Sequence, residues 1–100
     1  MTFEELAVKV ADDFRETMDE QGFESFDEMK KCYWWDSNDI KEEVNSILSS
    51  VRDADAYIDE IDGSDVILNG DTIPYRKFSA MWHKCLKANK EGDKNDSILH

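Results

Sequence analysis

The stretch DVILNGDTIPYRKFSAMWHKCLKANK, residues 65–90, decides the expected fold because it joins a strand signal to a helix signal. Asn69 and Gly70 lie between two short β-favouring runs. Asn-Gly is the preferred pair in a type I′ two-residue hairpin, because both central residues need a positive φ. Pro74 then suits the first turn of a helix, since its missing N–H would be unpaired there. The stretch therefore predicts a β-hairpin followed directly by a helix.

The apolar residues of this last helix recur at helical spacing and predict one buried face. They are Phe78, Met81, Trp82, Cys85 and Leu86. After Lys90 the chain is polar, so we expect residues 91–100 to form a frayed C-terminal tail.

Two further helices are predicted near the N-terminus. Thr2 and Glu5 have the spacing of a capping box, and Gly22 is a natural helix end because glycine takes the left-handed conformation at low cost. Between them, apolar residues at steps of three or four mark a buried face: Phe3, Leu6, Val10, Phe14 and Met18. Ser25 and Glu28 form a second capping-box pattern, which opens a shorter helix that reaches Cys32.

The strongest periodic pattern follows Asp36, which is placed to cap a third helix. Seven apolar residues then alternate by four and three: Ile40, Val44, Ile47, Val51, Ala54, Ile58 and Ile61. This period of 3.5 residues predicts one long helix that ends at Gly63. The same stripe is needed to close the core, so we expect a monomer rather than a coiled-coil dimer.

These elements predict one mainly α domain over residues 1–90, a compact bundle of about four helices with a short β-hairpin before the last helix. In a strict classification this is α+β. The length of 100 residues fits one domain.

Several classes of protein are disfavoured by the sequence. The start MTFEELAVKV has no basic region or long apolar run, and no stretch approaches the roughly 20 apolar residues of a membrane helix. Cys32 and Cys85 are far apart, which favours reduced thiols in a cytoplasmic protein. His83 and Cys85 are two residues apart on a predicted helix and so point in different directions. We therefore expect no enzyme activity, with an unrecognised enzyme as the third choice of function.

No metal or cofactor is expected either. Zinc sites need spaced pairs of Cys and His, which this chain lacks. The run IPYRKFSAMWHKCL is similar to the exit half of an EF-hand, but four aligned ligand positions hold residues without carboxylates: Val66, Leu68, Gly70 and Lys77.

The charge distribution is uneven. Residues 1–71 hold 21 acidic and 6 basic residues, whereas residues 72–100 hold 3 acidic and 6 basic ones, for a formal net charge of −12. The basic last helix could relieve repulsion among acidic helices or could contact nucleic acid. Because the rest of the chain would repel a phosphate backbone, we expect no direct nucleic-acid binding.

The acidic residues avoid the predicted core and form two groups. On helix one, Asp12, Glu16 and Glu20 are spaced by four, which places neighbouring Cβ atoms about 5–6 Å apart. Asp19 belongs to the same group. The second group is Glu42, Glu43, Asp55, Asp59 and Asp62 of the predicted third helix. High charge can serve solubility alone, or it can imitate the phosphates of a nucleic acid.

In size, helicity and charge, over the whole chain but without a motif match, the protein resembles the DNA-mimic and anti-CRISPR inhibitors of phages. That resemblance implies an inhibitor that occupies the basic surface of a nucleic-acid-binding protein. The alternative is a helical adaptor or regulatory subunit that binds through exposed aromatics and the apolar face of the third helix. Trp34, Trp35 and Tyr57 are its candidate contacts, and we expect at least one of Tyr33, Trp34 and Trp35 to be exposed.

Overall fold

The computed structural model describes the backbone of residues 1–59 and 65–99, and the side chains of residues 1–59 and 65–87. In chain order the elements are α1 (Phe3–Gln21), α2 (Phe26–Cys32), α3 (Ser37–Ser49), β1 (Ala56–Ile58), β2 (Asp65–Leu68), β3 (Asp71–Pro74) and α4 (Tyr75–Leu99). The structure confirms a mainly α fold with a small antiparallel β element before the last helix.

Helix α1 begins as the sequence predicts. The Thr2 hydroxyl accepts a hydrogen bond from the Glu5 N–H at 3.1 Å, and the Glu5 carboxylate accepts one from the Thr2 N–H at 3.0 Å. The bond from the Thr2 backbone lowers the pKa of Glu5, because it stabilises the ionised carboxylate. Gly22 follows the helix with a φ of 78°, the left-handed conformation that suits glycine.

The next two helices are capped by their predicted residues. Ser25 accepts a hydrogen bond from the Glu28 N–H at 3.1 Å, but the Glu28 carboxylate accepts from the N–H of Glu24 rather than from that of Ser25. Asp36 and Asp39 form a reciprocal capping box at the start of α3. Both helices therefore begin where the sequence indicates.

The long third helix predicted through Ile61 is wrong. Helix α3 ends at Ser49, and the chain turns before β1 begins at Ala56. The Ser50 hydroxyl donates to the carbonyl of Ile47 at 2.6 Å, a local bond of the kind that competes with helix continuation. Ala56 and Ile58 are buried while Tyr57 is exposed, so the period here is two residues.

The remaining positions of the predicted stripe are divided by this change. Val44 is buried, and Ile40, Ile47 and Val51 pack partly against the core. Ile58 is buried from a strand instead of a helix, so its place in a 3.5-residue repeat is coincidental. The predicted end of the helix, at residues 61–63, lies outside the described residues.

The three strands form one antiparallel sheet in the order β1-β2-β3. The predicted hairpin is its β2–β3 half, in which Leu68 pairs with Asp71 across a two-residue turn. Asn69 and Gly70 have φ values of 51° and 92°, as a type I′ turn requires. Strand β1 was not predicted, and it pairs with β2 so that Tyr57 lies opposite Ile67.

Two asparagine side chains fix β1 in place. The Asn45 Oδ1 atom of α3 accepts a hydrogen bond from the Ile58 N–H at 2.8 Å. The Asn69 Oδ1 atom accepts from the Asp55 N–H at 2.9 Å, while the Asn69 N–H donates to the Asp55 carbonyl at 2.8 Å. Asn69 therefore both supplies the positive φ of the turn and ties the turn to the start of β1.

The core lies where α1 and α4 pack together against α3 and one face of the sheet. Its largest fully buried side chains are Trp82, Phe78, Leu6, Met29, Leu48, Val10, Val44 and Val66. Pro74 is the last residue of β3 and directly precedes α4. The backbone of α4 extends through Leu99, past the expected end at Lys90, and the fraying of residues 91–100 stays a prediction.

Replacing Asn45 with alanine is expected to lower the free energy of unfolding by about 1–2 kcal/mol, because the partly buried Ile58 N–H loses its acceptor. Urea denaturation followed by circular dichroism measures this. Ser46→Ala is the control, since Ser46 is exposed on the next position of α3. Equal midpoints for the two variants would show that the Asn45 bond does not stabilise β1.

Gly70→Val is expected to lower the free energy of unfolding by about 1–3 kcal/mol, because a β-branched residue is strained at positive φ. A Cβ at this position would meet no atom within 4 Å, so backbone strain is the source of the cost. Gly70→Asn should cost less, since asparagine tolerates the left-handed region. Thermal unfolding of the two variants would contradict this account if both melted with the wild type.

Candidate protein-binding surfaces

The predicted carboxylates of α1 lie on the face opposite the core. Asp12, Glu16 and Glu20 are all exposed, and they form the α1 acidic row. Successive members are four residues apart and so rise about 6 Å along the helix axis. Arg15 Nη1 forms an ion pair with Asp12 Oδ1 at 2.8 Å, which offsets part of the charge at one end of the row.

The position of this row within α1 is unfavourable for the helix itself. Acidic side chains stabilise the start of a helix and destabilise its end, because the helix dipole is negative at the C-terminus. Asp19 and Glu20 lie in the last turn of α1, and that turn contains no basic residue. Glu16 and Glu20 also repel each other at a spacing of four residues. Helix stability therefore does not account for these carboxylates.

The structure brings a residue of the loop after α3 to the same surface. Asp53 lines a shallow groove of about 350 Å³ between α1 and the end of α3, and Asp12 and Glu16 line its other side. Lys9 and Arg52 also border this groove, which we call the α1–α3 groove. Glu42 and Glu43 are exposed on α3, as expected.

The second predicted acidic group is not a helical row. Asp55 and Asp59 flank strand β1, and Tyr57, which is 43% exposed, lies between them. Asp55 is exposed and Asp59 is half-buried. Asp62 lies outside the described residues. The early end of α3 is the reason, since a strand and its flanking turns replace the helix that would have aligned these carboxylates.

Asp19 points away from the α1 acidic row. It lines a groove of about 520 Å³ between the end of α1, the following loop and α4, together with Phe23, Phe26 and His83. The His83 Nδ1 atom lies 2.8 Å from the Ser79 carbonyl, and the ring stacks on Trp82 with centroids 3.8 Å apart. These contacts give His83 a packing role within α4.

The aromatic run divides as expected, with at least one member exposed. Trp34 is 89% exposed, and its φ of 59° places it in the left-handed region, which large side chains rarely adopt. Tyr33 is 41% exposed. Trp35 is half-buried, and its ring centroid lies 6.2 Å from that of Phe14. Of the alternative's two tryptophans, Trp34 is therefore the surface contact and Trp35 is part of the packing.

Searches of the described residues found neither a group of three or more His, Cys, Asp or Glu placed to hold a metal ion nor a helix long and apolar enough to cross a membrane. Comparisons of the chain with protein-family models, curated proteins and solved structures found no match. The surfaces described above are therefore the basis on which a function can be argued.

Trp34→Asn is expected to leave the free energy of unfolding unchanged or to raise it by up to about 1 kcal/mol, because asparagine tolerates a φ near 59° better than tryptophan does. Urea denaturation measures the change. Trp35→Leu is the matched control and should lower stability, since Trp35 packs on Phe14 and Phe26. A loss of more than about 1 kcal/mol in Trp34→Asn would show that Trp34 stabilises the fold.

Proposed function

We propose that this protein is a small cytoplasmic inhibitor, of the DNA-mimic or anti-CRISPR kind carried by phages, that binds as a monomer to the basic nucleic-acid-binding surface of a partner protein. The observation that carries the proposal is the α1 acidic row, Asp12, Glu16 and Glu20. Its carboxylates are exposed on a helix that is packed against the core, and the dipole and repulsion of α1 oppose them. Their cost to α1 is better explained by a basic partner than by folding.

The charge density of this surface supports the same reading. A strand of B-DNA carries one phosphate about every 3.4 Å along the axis, whereas the α1 acidic row carries one carboxylate about every 6 Å. The row alone is therefore about half as dense as one strand. Asp53 across the α1–α3 groove, with Asp13 and Glu43 beside it, adds negative charge to the same side of the molecule.

Inhibition of this kind needs no chemical step. The exposed carboxylates would pair with the arginine and lysine side chains that hold phosphates in the partner, so that the inhibitor and the nucleic acid compete for one surface. Opposite fields would also speed the encounter, which makes association depend strongly on salt. Screening shortens the range of these fields to about 10 Å at 0.1 M salt.

A second function, that of a helical adaptor or regulatory subunit, is favoured by Trp34. A tryptophan that is 89% exposed at a positive φ is an interface anchor by its chemistry, because it offers a large apolar surface at a fixed position. Tyr57 on the sheet is a second exposed aromatic. An adaptor that binds through these residues would respond far less to ionic strength than an electrostatic inhibitor would.

The test reverses the α1 acidic row with the triple variant D12K/E16K/E20K. The partner is first captured from host lysate, identified by mass spectrometry and purified. We expect the triple variant to bind the purified partner at least about tenfold more weakly, mainly through slower association, and nucleic acid to compete with the wild type. Wild-type affinity should fall steeply between about 50 and 300 mM salt.

The matched control is the triple variant E4K/D27K/D71K, which changes the net charge equally at exposed positions away from the row. It should bind within about threefold of the wild type if the position of the charge matters more than its total. Circular dichroism and cooperative unfolding verify the fold of both triples. Binding that survives reversal of the row, ignores salt and is lost in Trp34→Ala would replace the inhibitor with the adaptor.

A further inference from the structure

Aromatic and acidic side chains meet in a pocket beside the α1–α3 groove. The pocket has a volume of about 330 Å³ and lies between α1, α3 and residues 33–36, which connect α2 to α3. Phe14, Tyr33 and Trp35 supply aromatic surface, and Asp13 and Glu43 supply carboxylates from two different helices. We call this site the aromatic–acidic pocket.

The aromatic side of the pocket is held in place by packing. The Tyr33 and Trp35 ring centroids are 5.2 Å apart with an angle of 34° between the ring planes. Trp35 is also supported from beneath by Phe14 and Phe26, at centroid distances of 6.2 and 6.5 Å. Tyr33 contacts Phe23 edge-on at 5.7 Å. The rings are therefore ordered before any ligand arrives, which lowers the entropy cost of binding.

The charge of the pocket is of one sign. Asp13 and Glu43 are both exposed, and the described residues that line the pocket include no lysine, arginine or histidine. Aromatic faces carry negative electrostatic potential, so rings and carboxylates in one pocket attract the same ligand, an organic cation. The chain contains one such contact internally, since Lys41 Nζ lies 5.1 Å from the centroid of the Tyr75 ring.

We propose that the aromatic–acidic pocket binds an organic cation, namely the alkylammonium or guanidinium end of a lysine or arginine side chain of the partner. The part of this proposal that names the partner rests on the proposed function. The α1 acidic row would then attract the basic surface at long range, while this pocket would seat one of its cations. A seated cation gains from the rings as well as from the carboxylates, so it would anchor the orientation of the complex.

The experiment uses the full chain without a partner and tetramethylammonium as the probe. Binding is followed by the tryptophan indole N–H signals in two-dimensional nuclear magnetic resonance spectra, at constant ionic strength maintained with sodium chloride. We expect the Trp35 signal to shift saturably, with a dissociation constant on the order of 1–50 mM, while the buried Trp82 signal stays in place. Neutral tert-butanol has a similar shape and should not reproduce the shift.

Two variants test the two parts of the pocket. Glu43→Gln should raise the dissociation constant by about three- to tenfold, and Tyr33→Leu should do the same because it removes one ring. Glu42→Gln is the control, since Glu42 is exposed on the same helix but does not line the pocket. Equal effects of Glu43→Gln and Glu42→Gln, an equal shift with tert-butanol, or no saturable shift at Trp35 would each overturn the proposal.

The result is separable from the test of the inhibitor. If tetramethylammonium binds at Trp35 but reversal of the α1 acidic row leaves partner binding intact, the cation pocket stands and the inhibitor fails. If the row is essential but Trp35 never responds to the cation, the inhibitor stands and the pocket is refuted.

Discussion

The burial of Trp82 between α4 and α1 is the contact on which the rest of the structure depends. Trp82 is fully buried, and its ring centroid lies 5.0 Å from Phe14 of α1 and 5.3 Å from Phe26 of α2. A buried aromatic of this size removes more apolar surface from water than most other core residues do. The contact fixes the inner face of α1, and it thereby determines which carboxylates of α1 face the solvent.

The carboxylates of this chain fall into two physical classes. Those near helix starts serve the fold: Glu5 completes a capping box, and Asp36 and Asp39 cap each other's backbone at α3. These groups gain from the positive end of the helix dipole. Glu16 and Glu20 are different, since they lie in the second half of α1, where the dipole and their mutual repulsion act against them. That difference separates the candidate binding surface from charge that the fold itself uses.

The same reasoning separates the tryptophans. Trp82 and Trp35 have aromatic neighbours within 6.5 Å and belong to the packing. Trp34 has a strained backbone conformation and an almost fully exposed ring. Backbone strain at an exposed aromatic points to a role outside folding, because neither burial nor local geometry favours the residue there. The acidic and aromatic surfaces are therefore two distinct candidates for contact with other molecules.

The sequence alone determined much of the local structure. Thr2, Ser25 and Asp36 begin helices, and Asn69 and Gly70 form the turn, because caps and tight turns depend on hydrogen bonds and φ values within a few residues. The exposure of the α1 acidic row also followed from helical periodicity, since α1 has a single buried face.

The tertiary structure decided what lies between α3 and β2. A repeat of four and three residues from Ile40 to Ile61 fits a helix, but the buried residues Ala56 and Ile58 fit a strand equally well. What selects the strand is distant in sequence, because β1 gains hydrogen bonds from β2, from Asn69 and from the Asn45 side chain of α3. The meeting of Asp53 with the α1 acidic row, and of Tyr33 and Trp35 with Asp13 and Glu43, has the same origin. Each depends on how two helices pack, and no pattern within one segment carries that information.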